Sequence, residues 1–85
     1  MTYSIRLLVF LKDGVLDTQG KTVAASLKGM GYDCVKDLRV GKYIHLEVEA
    51  ASEAEAVGQV EKMCDDLLVN DIIEEFKIEI EDARA

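Results

Sequence analysis

One stretch in the middle of the chain, residues 38–48, alternates apolar and polar side chains. Its even-numbered members are apolar with the single exception of Lys42, and these are Leu38, Val40, Ile44, Leu46 and Val48. Because successive side chains of an extended chain point to opposite faces, the alternation predicts a strand with one buried face. A chain that contains such a strand must place a second layer against it.

Gly41 and Lys42 would also suit a two-residue hairpin turn with glycine first. That turn would pair Arg39 with Ile44 and place Arg39 on the buried face, because directly opposed residues share a face. Two arrangements keep the parity: a three-residue turn that pairs Val40 with Ile44, and one long strand with a bulge or bend at Gly41. We favour the long strand. Eleven residues at about 3.3 Å each would overhang a domain of this size, so the strand would need a partner to cover it.

A first strand is predicted near the N-terminus by apolar residues of one parity, which are Tyr3, Ile5, Leu7, Val9 and Leu11. Its other face is half apolar through Leu8 and Phe10. In a domain with helices on only one side of the sheet, that face would be exposed to solvent. We therefore expect Leu8 and Phe10 to meet another subunit or another strand.

Two helices and a last strand complete the pattern. The first helix is predicted to begin at the N-cap Asp17 and end at Gly31, with a core-facing stripe of Val23, Leu27 and Met30. The second begins with a capping box of Ser52 and Glu55, and its apolar stripe is Val57, Val60, Cys64, Leu67 and Leu68. The last strand spans about residues 73–80, and the tail after it is expected to fray.

The order of these elements predicts the fold class. Strand, helix, long strand, helix and strand make an α+β domain of two layers, with an antiparallel sheet and two helices on one face. The arrangement is close to a ferredoxin-like order with a long bent central strand. We expect one domain over residues 1–85. The longest apolar run, residues 7–11, is too short for a membrane span or a signal-peptide core, so we expect a cytoplasmic protein.

The charge of the chain is unevenly placed. The formal net charge is −7, but residues 1–46 carry seven basic and four acidic side chains, whereas residues 47–85 carry three and thirteen. Nucleic-acid binding is disfavoured, because the neutralisation of phosphates needs a basic surface. The split suits complementary contacts between protein subunits, although solvated acidic faces are the commoner explanation.

No catalytic or nucleotide-binding motif is present. His45, with Glu47 two residues on, could serve as an oriented base. A solvated or interface histidine is the better interpretation, because no nucleophile is placed beside it. Cys34 and Cys64 do not form a disulfide framework, and we expect buried free thiols. Arg39 and Lys42 flank Gly41 and would hold an anion or a partner carboxylate, or simply protect an exposed strand edge.

Four segments together carry a family resemblance. Residues 12–20 read Lys-Asp-Gly-Val-Leu-Asp-Thr-Gln-Gly and resemble the K-x-G-V-L-D-P-Q-G element of the PurS family, the small subunit of phosphoribosylformylglycinamidine synthase. Residues 38–42, 63–70 and 73–76 resemble the family's second, third and fourth elements. Thr18 and Asp71 stand where the family usually has proline, which should loosen two loops slightly without changing the fold.

The resemblance implies a non-catalytic subunit of a three-part amidotransferase in purine biosynthesis. In that family a glutaminase subunit releases ammonia from glutamine. An ATP-dependent synthetase subunit uses the ammonia to convert formylglycinamide ribonucleotide to formylglycinamidine ribonucleotide. PurS dimers or tetramers bridge the two. By this resemblance the chain is an accessory subunit of a C–N ligase and holds no cofactor of its own, while the complex uses ATP and Mg²⁺.

Contact residues are predicted in two groups. The residues expected to meet the partner subunits are Asp17, Gln19, Gly20, Arg39, Gly41, Lys42 and Asn70. Those expected to meet a second copy of the chain are Leu8, Phe10, Tyr43 and His45. An alternative interpretation is a ligand-sensing regulatory domain of the ACT kind, which shares this strand–helix order and binds a small amino acid near a glycine-containing loop. A third is a stand-alone enzyme that uses His45.

Overall fold

The first strand, β1 (Thr2–Leu11), lies in the middle of a three-stranded sheet in the computed structural model, which describes residues 1–84. The antiparallel partners are β2 (Lys42–Glu49) on one side and β3 (Glu74–Arg84) on the other. The helices are α1 (Thr18–Gly29) and α2 (Glu53–Met63). The predicted α+β class with an antiparallel sheet and two helices is confirmed.

The core lies on the face of the sheet that carries the odd-numbered residues of β1. Ile5 pairs with Leu46 and Ile80, so that the three side chains form one row across the sheet. A second row has Leu7 between Ile44 and Ile78. Helix α2 covers these rows with the buried side chains of Ala56 and Val60, and Cys64, directly after the helix, is buried with them. Burial of each large aliphatic side chain stabilises the fold by about 1.5–3 kcal/mol.

A π-helical turn, Cys64–Leu68, follows α2 and changes which residues face the core. The amide of Val69 donates to the carbonyl of Cys64 at 3.1 Å, so this turn holds one residue more than an α-helical turn. Val69 therefore returns to the buried side, where it is 7% exposed, and Leu67 is 84% exposed. The prediction that Leu67 belongs to the apolar stripe is wrong.

The second strand of the chain, β2, is shorter than the strand predicted over residues 38–48. β2 begins at Lys42, which pairs with Val9, and residues 38–41 lie outside the sheet. Because β2 pairs with β1, the rejected two-residue hairpin at Gly41 and Lys42 is indeed absent from the described residues. The prediction of one long bent strand over residues 38–48 is wrong, and an eight-residue strand does not overhang the domain. Instead, the Arg39 side chain donates to the carbonyl of Leu11 at the end of β1, and the amide of Val40 donates to the carboxylate of Asp17.

Helix α1 begins and ends as predicted but packs differently. Gly31 follows the last turn with φ +97°, and the amides of Gly31 and Tyr32 donate to the carbonyls of Lys28 and Leu27 in a Schellman motif. Its apolar stripe is largely uncovered, since Val23 is 42% exposed and Met30 is 72% exposed. The prediction that this stripe faces the core is wrong.

The width of the sheet explains the position of α1. Three strands about 4.8 Å apart make a narrow sheet, and one helix about 10–12 Å across covers its face. Helix α2 occupies that place, and Gly20 is the one buried residue of α1. The molecule is accordingly elongated, with a radius of gyration of 16.4 Å and a long axis of 50 Å, whereas a compact chain of this length has a radius near 12 Å.

The last strand is longer than predicted. β3 continues to Arg84, which pairs with Thr2, so the expected fraying of residues 82–84 is wrong. Ala85, the last residue of the predicted tail, lies outside the described residues. The register shifts by one residue between Ser4 and Ile5, which leaves Glu81 as the extra residue of a bulge. Among residues 1–84, none of the helices is long and apolar enough to cross a membrane.

Candidate functional site

One carboxylate joins the first two segments that carry the resemblance. Asp17 caps α1 through Oδ1, which accepts the amide of Gly20 at 2.9 Å, and its Oδ2 accepts the amide of Val40 at 2.8 Å. The hydrogen bonds from Gly20 and Val40 hold the pKa of Asp17 below its ordinary value, and Arg39 adds to this effect while partial burial opposes it. The predicted helix cap is confirmed, and Asp17 also fixes the path of residues 38–41.

Arg39 bonds within the chain. Its Nη2 donates to the carbonyl of Leu11 at 2.5 Å, and its Nη1 lies 3.3 Å from Oδ1 of Asp13. The guanidinium thus ties the end of β1 to the segment that precedes β2. Arg39 is still exposed at its outer edge, so part of this cation remains available to a partner.

Two glycines are required by close backbone approaches at this place. A Cβ atom on Gly20 would lie 2.9 Å from the carbonyl oxygen of Leu38, and one on Gly41 would lie 2.6 Å from that of Val9. Real Cβ atoms essentially never come as close as 2.6 Å, and backbone atoms cannot yield as a flexible side chain does. The fold itself therefore requires glycine at positions 20 and 41, independently of any contact with a partner.

A cleft of about 200 Å³ opens beside these contacts. Four of the residues predicted to meet a partner subunit line it, namely Asp17, Gln19, Gly41 and Lys42. Glu74, at the start of β3, lines it as well and places its Oε2 3.4 Å from Nζ of Lys42. A second cleft of about 450 Å³ is also lined by Asp17 and has Arg39 among its other lining residues. We call the smaller one the Lys42 cleft.

Asn70 reaches the same region through Glu74. Its amide donates to Oε1 of Glu74 at 2.8 Å, and its side-chain oxygen accepts the amide of Ile72 at 3.2 Å. The structure therefore brings together all seven residues predicted to meet a partner subunit, either in the Lys42 cleft or one contact away from it. Sequence reasoning missed Glu74, although an acidic residue at the start of a strand and four residues after Asn70 was the available signal.

The four residues predicted to meet a second copy share the other face of the sheet. Leu8 pairs with Tyr43 and Arg6 pairs with His45, so these side chains point away from α2. Leu8 and Phe10 are half-buried, and Tyr43 is exposed. We call this surface the open face. Its apolar part lies around Leu8, and His45 belongs to its charged part.

Ion pairs fill the charged part of the open face. Arg6 lies 3.2 Å from Glu79 and 3.5 Å from Glu81, while Arg84 pairs with Glu47. Each exposed pair of this kind contributes about 0–1 kcal/mol. Their main consequence is therefore to make this part of the sheet polar.

His45 does not form a catalytic arrangement with its neighbours. Its Nε2 lies 3.5 Å from Oγ of Ser4 and 3.6 Å from a carboxylate oxygen of Glu81. A base that activates a hydroxyl needs one ring nitrogen on the hydroxyl and the other on the orienting carboxylate. Here both groups approach the same nitrogen, which favours the interpretation of a surface histidine.

The two cysteines lie in different environments. Cys64 is buried under the sheet, and burial raises the pKa of its thiol, with smaller contributions from Asp65 and Glu61. Cys34 is exposed, so the prediction that both thiols are buried is wrong for Cys34. Within the part of the chain that the structure describes, no group of three His, Cys, Asp or Glu side chains is placed to hold a metal ion.

Comparisons with known proteins agree with one another. A family model described as PurS, phosphoribosylformylglycinamidine (FGAM) synthase, matches residues 4–82. A Synechocystis sp. protein named phosphoribosylformylglycinamidine synthase subunit PurS is 46% identical over 93% of this chain and 79% of its own length. A Bacillus subtilis protein of the same name is 40% identical over 98% of both chains.

Solved structures resemble the whole described fold. The PurS structure from Methanocaldococcus jannaschii superposes with a TM-score of 0.86 at 30% identity, covering 96% of this chain and 99% of that one. A chain of a Thermotoga maritima structure described as PurLQS superposes with a TM-score of 0.88 at 36% identity, covering 94% of this chain and 98% of that one. The family match over residues 4–82 includes every residue that lines the Lys42 cleft.

Proposed function

Because the chain belongs to the PurS family of phosphoribosylformylglycinamidine synthase subunits, we propose that it joins the glutaminase subunit of that synthase to its ATP-dependent synthetase subunit. One observation carries this proposal. The segments that hold the resemblance are spread over most of the chain, yet Asp17, Lys42 and Asn70 meet at or beside one cleft. Such convergence without a paired nucleophile and base suits a docking surface.

In this assignment the chemistry belongs to the partners. The glutaminase releases ammonia from glutamine, and the synthetase uses ATP and Mg²⁺ to form formylglycinamidine ribonucleotide. This chain contributes no catalytic group and no cofactor, and it acts in the cytoplasm. The geometry at His45, where two groups share one ring nitrogen, supports the non-catalytic role.

Two surfaces are assigned to two kinds of contact. The Lys42 cleft and its surroundings meet a partner subunit through residues that include Gln19, Arg39 and Lys42. The open face meets a second copy of the chain through its apolar part, so that the protein forms a homodimer or homotetramer. The support is that Tyr43 is 54% exposed directly beside the half-buried Leu8.

Reconstitution tests the bridging role. Glutamine-dependent formation of formylglycinamidine ribonucleotide is measured with the glutaminase and synthetase subunits, with and without this chain. We expect omission to lower the glutamine-dependent rate strongly, while the rate with added ammonium salt changes little, because the synthetase then needs no delivered ammonia. An unchanged glutamine-dependent rate after omission contradicts the proposal.

A binding experiment tests the regulatory-domain alternative. Family membership favours the subunit role, and the ACT-like interpretation requires saturable binding of a small amino acid to the isolated protein. Calorimetric titration with the standard amino acids should give no saturable signal. Saturable binding that is lost in Gly41→Ala and retained in Gly58→Ala would favour the regulatory domain instead, because Gly58 has open space around it in α2.

A further inference from the structure

Glu74 is bound at both ends of its carboxylate. Its Oε1 accepts the amide of Asn70 at 2.8 Å, and its Oε2 lies 3.4 Å from Nζ of Lys42. The side chain is only 15% exposed, whereas that of Lys42 is 58% exposed. A carboxylate that is held by two groups and largely shielded from water has little rotamer freedom. Its ion pair therefore restricts the conformations of the Lys42 side chain.

The ion pair crosses the central strand of the sheet. Glu74 pairs with Leu11 in β1, and Lys42 pairs with Val9, so the two side chains stand on the same face on either side of β1. The contact ties the first residue of β2 to the first residue of β3. These two strand ends form one wall of the Lys42 cleft.

The turn before β3 depends on the same side chain. The carbonyl of Asn70 accepts the amides of Ile73 and Glu74 at 3.1 and 2.7 Å, and the Glu74 carboxylate closes the ring by accepting the amide of Asn70. The side-chain oxygen of Asn70 also accepts the amide of Ile72 at 3.2 Å, so the bonds made by Asn70 and Glu74 together restrict the turn.

We propose that Glu74 is a positioning residue for subunit docking: it holds the Lys42 ammonium and the Asn70 turn in one fixed arrangement, and Lys42 then binds a partner subunit. This inference rests on the proposed function. Two of the three N–H groups of Lys42 remain for the partner, and a pre-positioned ammonium loses less entropy on docking than a free one. The partner group is accordingly a hydrogen-bond acceptor, a carbonyl or carboxylate oxygen.

A double-mutant cycle tests the inference. The affinity of the full chain for the purified synthetase and for the purified glutaminase is measured by calorimetry for the wild type, Glu74→Gln, Lys42→Met and the double variant. Glu74→Gln removes the charge that holds Lys42 but keeps an oxygen for the Asn70 amide. We expect each single variant to weaken binding to one partner about tenfold. In the Lys42→Met background, Glu74→Gln should change that affinity less than about twofold.

Controls separate docking from folding and from the proposed function. Glu61→Gln, at an exposed position of α2 that does not line the Lys42 cleft, should leave affinity unchanged. Failure of the wild type to bind either partner would contradict the proposed function itself. Wild-type binding together with full affinity of Glu74→Gln would overturn only the positioning role. Equal losses from Glu74→Gln with and without Lys42 would also overturn it, because Glu74 would then not act through Lys42.

Discussion

The carboxylate of Asp17 accepts the backbone amide of Val40 at 2.8 Å, although 23 residues separate the two along the chain. The other oxygen of the same carboxylate caps α1 at Gly20. One side chain therefore sets both the start of the helix and the path of the segment that leads into β2. Disturbing Asp17 should affect two distant segments at once.

Replacing Asp17 should destabilise the protein in a pH-dependent way. The pKa of Asp17 is lowered by its two amide bonds, so its contribution is present above the unfolded-state pKa of about 3.9 and is lost as pH falls through the folded-state pKa. Urea unfolding of the wild type and Asp17→Asn should show the largest difference in stability above about pH 5 and a narrowing difference below about pH 4. Asp33→Asn, in an exposed loop, is the control for the loss of a surface carboxylate, and it should destabilise the protein less than Asp17→Asn at neutral pH.

Gly41→Ala should destabilise the fold. The added Cβ would meet the carbonyl oxygen of Val9 at 2.6 Å, and relief requires movement of the backbone of β1 or of the segment before β2. We expect a loss of about 1–3 kcal/mol in the free energy of unfolding, measured by chemical denaturation. The matched control is Gly58→Ala in α2, where the space is open and alanine should stabilise the helix by about 0.5–1 kcal/mol. Equal effects at the two glycines would contradict the close approach.

The π-helical turn after α2 predicts very different effects on stability at Val69 and Leu67, two apolar residues that lie close together in the sequence. Val69→Ala should reduce the free energy of unfolding by about 1–3 kcal/mol, because it removes buried methyl groups beside Cys64. Leu67→Ala should change it by less than about 0.5 kcal/mol, because that side chain is almost fully exposed. A larger loss at Leu67 than at Val69 would mean that α2 continues as an ordinary α-helix.

Thiol labelling should distinguish the two cysteines. Cys34 is exposed and should react rapidly with a disulfide reagent at pH 8, whereas Cys64 is buried with a raised pKa and should react only after unfolding. We expect one fast thiol in the native protein and two in denaturant. Cys34→Ser should remove the fast phase, and a fast phase that survives this change would contradict the burial of Cys64.

Tyr43→Glu should weaken self-association. The substitution adds a charge directly beside Leu8 on the open face, where an interface between copies would have to desolvate it. Light scattering should then report a lower mass than for the wild type, with unchanged circular dichroism. Tyr32→Glu, in the loop after α1, serves as the comparison. If only Tyr32→Glu lowers the mass, the uncovered stripe of α1 forms the interface and the open face does not.

Local patterns in the sequence were sufficient for much of the fold. The alternation in β1, the N-caps at Asp17 and Ser52 and the end of α1 at Gly31 each depend on a few neighbouring residues, and the structure has them. The family could also be identified from local sequence, because each of its four segments is short and they occur in the expected order along the chain. The residues predicted to meet a partner subunit came from those segments, and their proximity in the fold could not be deduced from their spacing along the chain.

What only the tertiary structure decided concerns places where distant segments compete for one position. Residues 38–41 alternate like a strand, yet they leave the sheet because Asp17 and Leu11 offer bonds to Val40 and Arg39. The stripe of α1 has the period of a core helix, yet α2 already covers the narrow sheet. The role proposed for Glu74 depends on its contacts with Lys42 and Asn70, which lie 32 and four residues away along the chain, and only the folded structure shows these contacts. Periodicity reports which side of an element is apolar, whereas the neighbour that covers it is set by long-range packing.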